Sequence, residues 1–326
     1  MWQRVVHVRL IDNESNETLL DTGGIRIDFS FTHSWGVGDV CSISIYNLPL
    51  EIVKSTVLSS SITAELYVGY GEEVVEGLPP LLVRGPVINA IGTVERPHHV
   101  TRLFIFPHGK MNLGGNVEVP PMKGNTTVGD YVAHLSKHYS LGAPQWVEGT
   151  ESIKAKSFKG KSTPATGLHA LRMLESQFKI RPLVTGGTDG GKIVVYPDAS
   201  WSKKYGDTMN SATSVIPMDV VMLKGTPALS AGKIEIPYNM STGLSCGDII
   251  DTSPFLSADN PINSYIDVSG LGNSLFFAED LFNIATSSRY QITKIEHQGS
   301  NFVDSWQSKI SGAMYMSNLK GVDNAQ

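Results

Sequence analysis

Through the first hundred positions, apolar and polar residues take turns. Residues 4–10 (RVVHVRL), 25–31 (IRIDFSF) and 39–46 (DVCSISIY) alternate, as do 62–68 (ITAELYV), 81–91 (LLVRGPVINAI) and 100–106 (VTRLFIF). A period of two sets one side of a strand against a core and the other toward water. Turn residues divide the segments: Asp12-Asn13, Gly23-Gly24 and Gly69-Tyr70-Gly71. Six antiparallel strands in so short a stretch predict one barrel or sandwich, with a short helix at 50–58.

Near residue 110 the period changes. Residues 127–139 (TVGDYVAHLSKHY) place Val128, Tyr131, Val132, Leu135 and Tyr139 at helical spacing behind Thr127, a capping residue. A second helix is predicted over 163–178, with Pro164 at its first position and Leu168, Leu171, Met173, Leu174 and Phe178 as its stripe. Residues 193–196 (IVVY) read as a strand after the glycine-rich turn 186–191. Alternation then returns, with strands predicted at 220–223, 233–237, 248–251, 290–297 and 306–314. A less regular insertion spans 253–286, with room for a short helix at 277–284. The expected fold is mainly β with an α+β middle region. Residues 1–109 form a first β-domain, 110–220 a mixed domain able to lend strands to the next, 221–316 a second β-domain, and 317–326 a frayed tail.

Composition narrows the classes. Charged residues make up 17% of the 326-residue chain, below the ~25% usual for a soluble protein, and obligate interfaces are depleted in charge. No apolar run approaches the ~18 residues of a membrane helix. The opening segment alternates and then turns acidic at Asp12–Glu17, unlike a signal or transit peptide. A net charge of −5 argues against nucleic acid as a main partner, because phosphate binding needs a concentrated basic face. Cys41 and Cys246 are too few and too far apart for a disulfide framework and read as buried free thiols.

The chemical motifs fail on context. Gly243-Leu244-Ser245-Cys246-Gly247 matches the G-x-S-x-G nucleophile elbow, which needs its serine between a strand and a helix. Here it runs into 247–251 (GDIID), a turn followed by a strand, and only His297 follows in the required order. Residues 186–192 have Walker A spacing up to Lys192, but Ile193 stands where Ser or Thr should bind magnesium. His134 and His138 share a helix face without the glutamate of H-E-x-x-H or an obvious third ligand. His98, His99 and His108 have no cysteine or carboxylate at ligand spacing. The acidic run 12–17 lacks the glycine and terminal glutamate of an EF-hand loop. No catalytic, metal-binding or cofactor-binding residue is therefore assigned, and an enzyme is not expected.

Six segments, in order, resemble the baseplate hub proteins of contractile-tailed phages and related injection systems, including the hub part of type VI secretion spikes. Residues 41–48 (CSISIYNL) are similar to the family's strand ending in Tyr46-Asn47-Leu48 before a short helix. Residues 64–71 (AELYVGYG), with Gly69, lead to Val83-Arg84-Gly85-Pro86-Val87, similar to its F-x-G-x-I strand with Val83 near the usual Phe. Phe158-Lys159-Gly160 and the helix after it look like an f-x-G segment, and Gly225-Thr226-Pro227 like a G-x-P strand entry. Gly247-Asp248 resembles an L-x-P-G-D turn in which Ser245-Cys246 replaces the proline. His297, Gly299 and Trp306 match the closing H-x-G-d … W hairpin.

The resemblance implies two tail-tube-like antiparallel β-barrels and a smaller mixed domain. It implies a homotrimer whose six barrels continue a hexameric tube above a trimeric spike. The partners would be the tube or tube-initiator protein, the spike, and possible wedge and tape-measure proteins. DNA would pass a polar, acidic lumen without specific binding, within a virion assembled in the host cytoplasm. A hexameric tube initiator or distal tail protein, and a peptidoglycan hydrolase using Ser245 or a carboxylate pair, are the competing readings.

Overall fold

A computed structural model describes residues 3–34, 39–58, 61–107, 119, 125–139, 141–147, 150–158, 166–185, 192–197, 215–230, 233–255 and 289–314. The glycine-rich turn 186–191, His108, Pro164, Gly160, the helix expected at 277–284 and the tail lie outside the described residues.

The chain is mainly β. The first half holds β1 (Arg4–Asp12), β2 (Thr18–Thr22), β3 (Ile27–Ser34), β4 (Val40–Tyr46), β5 (Ile62–Tyr70), β6 (Leu81–Glu95) and β7 (His98–Ile105), with helix α1 (Leu50–Leu58) between β4 and β5. Every strand expected there is present. β2 was not expected, because TLLDT does not alternate cleanly. The middle region carries α2 (Val128–His138), β8 (Gly142–Trp146), α3 (Gly167–Phe178), β9 (Ile180–Thr185) and β10 (Lys192–Pro197). The last part adds β11 (Val215–Pro217), β12 (Ala228–Ser230), β13 (Lys233–Asn239), β14 (Ile249–Asp251), β15 (Arg289–Ser300) and β16 (Trp306–Met314).

Thr127 caps α2 as its spacing predicts, accepting a hydrogen bond from the Asp130 amide. α3 starts later than expected. Thr166 is its cap, accepting from the His169 amide, so the helix opens at Gly167 and Pro164 is not its first residue. Residues 220–222 form a tight helical turn instead of a strand, because the Asp219 carboxylate accepts the Val221 amide and closes it.

Thirteen strands join one sheet, running β12-β13-β16-β15-β3-β4-β7-β6-β5-β1-β2, with β14 and β11 branching from β15. Among the described residues this ladder does not close on itself. A separate three-stranded sheet, β8-β10-β9, carries α2 and α3. β15 connects the halves. Its first residues, Arg289–Gln291, pair with β14, and Lys294–Ser300 pair with β3. A register shift between Ile292 and Lys294 lets one strand serve both neighbours.

Three cores result. Val6, Leu10, Ile27, Phe29, Ile43, Leu66, Leu103 and Trp306 belong to the first. Tyr131, Leu135, Phe158, Leu174 and Ile193 fill the second, under the small sheet. Ile236, Tyr238, Ile250, Phe255, Tyr290, Ile292 and Ile310 form the third, joined by Leu183 of β9. Leu183 and the Tyr196 ring therefore attach the middle region to the last part of the chain.

Candidate interaction surface

Strand alternation leaves one face of the large sheet outside the cores. Strand pairing aligns Asn239, Gln307, Gln298, Ser30, Ser42, Phe104 and Asn89 in a single row across β13-β16-β15-β3-β4-β7-β6. At ~4.8 Å per strand the row is about 29 Å long. It holds amides and hydroxyls, one phenylalanine and no charge. The charges beside it are paired: Lys294 with Glu296 at 2.6 Å, Lys309 with Glu235 at 2.8 Å, Arg102 with Glu95 at 2.6 Å and Arg26 with Asp28 at 2.9 Å. The strands of the other sheet edge repeat the device. Asp21, Arg9, Glu65 and Arg84 stand opposite one another on β2-β1-β5-β6, at 3.1, 3.6 and 3.3 Å. The Tyr67 hydroxyl donates to Glu65 at 2.7 Å, and burial together with that carboxylate pushes its pKa up to about 12.

Behind this face lies a buried polar junction. His33 of β3 is hydrogen-bonded through Nδ1 to Asp39 Oδ2 at 2.6 Å, and Asp39 Oδ1 accepts the Ser34 amide at 3.2 Å. The Cys246 thiol donates to the His33 carbonyl at 3.2 Å. The Phe31 ring stacks between two imidazoles, His33 at 6.2 Å and His297 at 5.8 Å. Burial disfavours charge on His33, but the bond to Asp39 and the contact with Cys246 outweigh it and raise its pKa to about 10. Burial, and then the charge on His33, push His297 down to about 3. Two histidines a ring apart thus carry opposite protonation states at neutral pH. His297 Nδ1 is 2.9 Å from Ser308 Oγ, which also accepts the Ser241 amide.

The described positions named from sequence fall into three clusters and three separate sites. Gly299 and Trp306 face each other where β15 meets β16. A Cβ at Gly299 would lie 2.6 Å from the Phe29 ring, which packs edge-on to Trp306, so only glycine fits there. Gly247, Asp248 and His297 belong to the junction. Gly247 has φ +97°, its amide donates to the Ile292 carbonyl, and the Tyr196 ring occupies the space a side chain would need. Asp248 accepts the Ser245 amide at 2.7 Å, while burial raises its carboxyl pKa. Tyr46, Asn47 and Leu48 end β4. The Arg26 guanidinium lies 4.1 Å over the Tyr46 ring, Asn47 has φ +57° and accepts the His99 amide, and Leu48 enters the first core. Gly69 lies beneath Pro79 and Pro80, Gly85 lies against Pro107, and Pro227 is buried just before β12.

The discarded motifs keep their plain geometry. Ser245 is exposed in a turn leading into β14, while His297 is buried and occupied by Ser308. Ile193 lies in a strand and not at a helix N-terminus. His134 and His138 are exposed on α2. Among the described residues no three His, Cys, Asp or Glu side chains converge to hold a metal. Cys41 and Cys246 are buried free thiols, as their spacing led one to expect. The His33–Asp39 pair was missed. The only signal for it was a histidine and an aspartate at core-facing positions of adjoining strands, which a single sequence does not single out.

No protein-family model and no curated protein matches the sequence. Solved structures do. A tail protein from Neisseria meningitidis is 11% identical, with TM-score 0.54 over 94% of this chain and 96% of that one. An Escherichia coli type VI secretion component, described as structurally similar to bacteriophage T4 tail proteins gp27 and gp5, is 10% identical, with TM-score 0.54 over 89% of this chain and 74% of that one. The 43 kDa tail protein of prophage MuSo2 from Shewanella oneidensis is 8% identical, with TM-score 0.53 over 94% and 98%. At such identities the likeness is one of fold: over nearly its whole length the chain is folded like these tail and secretion proteins.

Proposed function

We propose that the chain is a non-enzymatic structural component of a phage tail or phage-like injection device, and within it the baseplate hub. Three copies close into a ring that joins a hexameric tube to a trimeric spike. In this reading 1–109 and 221–316 are two tube-like units carried by one chain, with 110–220 between them, so that three chains present six units. Tube or tube-initiator and spike proteins stack on the two ends, and the component resides in the virion.

The observation that carries this reading is the seven-strand polar row. It crosses from one unit to the other on a single uninterrupted sheet. A channel wall that lets a polyanion pass must be wet yet offer no uncompensated positive charge. Uncharged amides and hydroxyls flanked by one-to-one ion pairs meet both conditions. The proposed wall is thus charge-balanced along this face, and the acidic sign suggested by the net charge is not concentrated there. The fold likeness to tail proteins and to a type VI secretion component supports the same role.

Light scattering at micromolar concentration, with and without the spike protein from the same particle, tests it. Three times 35.3 kDa, about 106 kDa, is expected. A hexamer would transfer the chain to the tube-initiator role, and a monomer that persists with the spike present would overturn the hub.

A further inference from the structure

β15 changes partner at a defined place. Between Ile292 and Lys294 its pairing with β16 skips Thr293, whose hydroxyl donates to the Ser311 carbonyl at 3.1 Å. Before this bulge β15 lies beside β14, and after it beside β3. A bulge bends its strand and raises the local twist. Alternation of apolar and polar residues fixes which face of β15 is buried, but not how sharply it bends. The angle between the first β-unit and the last therefore depends on what fills the bend.

The turn 245–248 enters the bend and bonds to both sides of it. On the side of the last unit, the Gly247 amide donates to the Ile292 carbonyl and the Ile292 amide to the Asp248 carbonyl, each at 2.8 Å. Gln291 Nε2 donates to the Gly247 carbonyl at 3.1 Å. On the side of the first unit, the Cys246 thiol donates to the His33 carbonyl at 3.2 Å. His33 and Ser34 pair with Ile295 and Lys294, the first residues after the bulge. Asp39 fixes both from behind, through the His33 ring at 2.6 Å and the Ser34 amide at 3.2 Å. Cys246 and His33 are buried, and a polar group left unpaired away from water is costly. The bonds therefore favour one position of the turn.

The middle region presses the turn home. Gly247 has φ +97°, and a Cβ on it would lie 2.5 Å from the Tyr196 ring. That ring stands on β10, which is paired along its length with β9, and both Tyr196 and Leu183 pack on the third core. The ring thus has a rigid seat from which to hold the turn.

We propose that the turn 245–248 is a wedge that sets the angle between the two β-units, and that Tyr196 of the middle region holds the wedge in place. The two units and their cores fold without it, but the relation between them does not become unique. This role follows from the fold and stands whether or not the chain is a hub.

The test measures the distance between spin labels on the full-length chain, introduced by Glu14→Cys in the first unit and Val221→Cys in the last, both exposed positions. The background is Cys246→Ser, which keeps a donor for the His33 carbonyl, and labelled chains are diluted with unlabelled ones so that only distances within a chain are read. The background should give one narrow distance. Gly247→Ala, which drives a methyl into the Tyr196 ring, and Tyr196→Ala, which removes the ring, should each widen the distribution about twofold, as a released hinge does. The amides of Ile43 and Ile310 should stay protected from exchange in both variants. Leu103→Ala, which opens a cavity in the first core away from the wedge, should lower stability without widening the distribution. An unchanged width in Tyr196→Ala would overturn the wedge, even if Gly247→Ala fails to fold. Equal widening by Leu103→Ala would overturn it too, by tracing the effect to general loosening.

Discussion

The two β-rich parts of the molecule are built differently. The first half owns its strands: β1, β3, β4, β5, β6 and β7 each run seven residues or more, and their inward side chains complete a core. The last part has three strands of three residues each, β11, β12 and β14, and depends on the β15–β16 hairpin for its length. That hairpin is shared. Its tip sends Trp306 into the first core, while its base sends Tyr290, Ile292 and Ile310 into the third. Two sets of strands that would each leave an open edge are fused through one long strand that changes partner at its register shift.

Trp306→Ala is the largest expected blow to this arrangement. The side chain is fully buried against Phe29 and Tyr70 at the hairpin tip. Its removal should cost about 3–5 kcal/mol. Because the hairpin holds both parts, urea unfolding followed by circular dichroism and by hydrogen exchange should show both destabilised together. Unfolding of the first half alone, with the amides of Ile236 and Ile310 still protected, would break the idea of a shared hairpin.

Much of this was legible in the sequence, and what was not has physical causes. Alternating segments such as 306–314 and 62–68 announce strands because one face is buried and the other wet. Partner exchange along β15 leaves no such trace, since a strand alternates identically whichever neighbour it pairs with. The short strands β11 and β12 are set by tertiary pairing and not by their own pattern. The polar row was hidden for a related reason. Its seven residues come from seven strands, and none is unusual until register aligns them. Asp219 turned an apolar run, VVML, into a tight helical turn, a local hydrogen bond outweighing β-propensity.

The junction between the two parts should show in the pH dependence of stability, an effect of the next size. His33 has a folded pKa near 10 against an ordinary 6.5. Its contribution is therefore complete below pH 6.5 and lost as pH rises through about 10. His297, near 3 when folded, acts in the other direction: its contribution is complete above pH 6.5 and lost as pH falls toward 3. Stability should peak near neutrality and fall on both sides, each limb reaching a few kcal/mol at ~1.4 kcal/mol per pH unit of separation. Urea midpoints from pH 4 to 10 check this. His33→Gln should flatten the alkaline limb most and make the acid limb shallower as well, because the His33 charge helps hold His297 down, and a variant that leaves the alkaline limb unchanged would remove the buried ion pair from the account.

The smallest effect tests the contrast between the two faces of the shared sheet. Lys309 of β16 pairs with Glu235 of β13, and both side chains are about half exposed. Water screens such a pair, so Lys309→Gln should change stability by no more than about 0.5 kcal/mol. Its core-facing neighbour in sequence, Ile310, is fully buried in the third core, and Ile310→Ala should cost about 2–5 kcal/mol. One position apart on one strand, the two substitutions should differ severalfold in their shift of the urea midpoint. Equal shifts would mean that the outer face is packed against something that makes its ion pairs matter for folding. A near-silent Lys309→Gln would instead show that these charges are not needed to hold the fold, which leaves them available for the surface role proposed for this face.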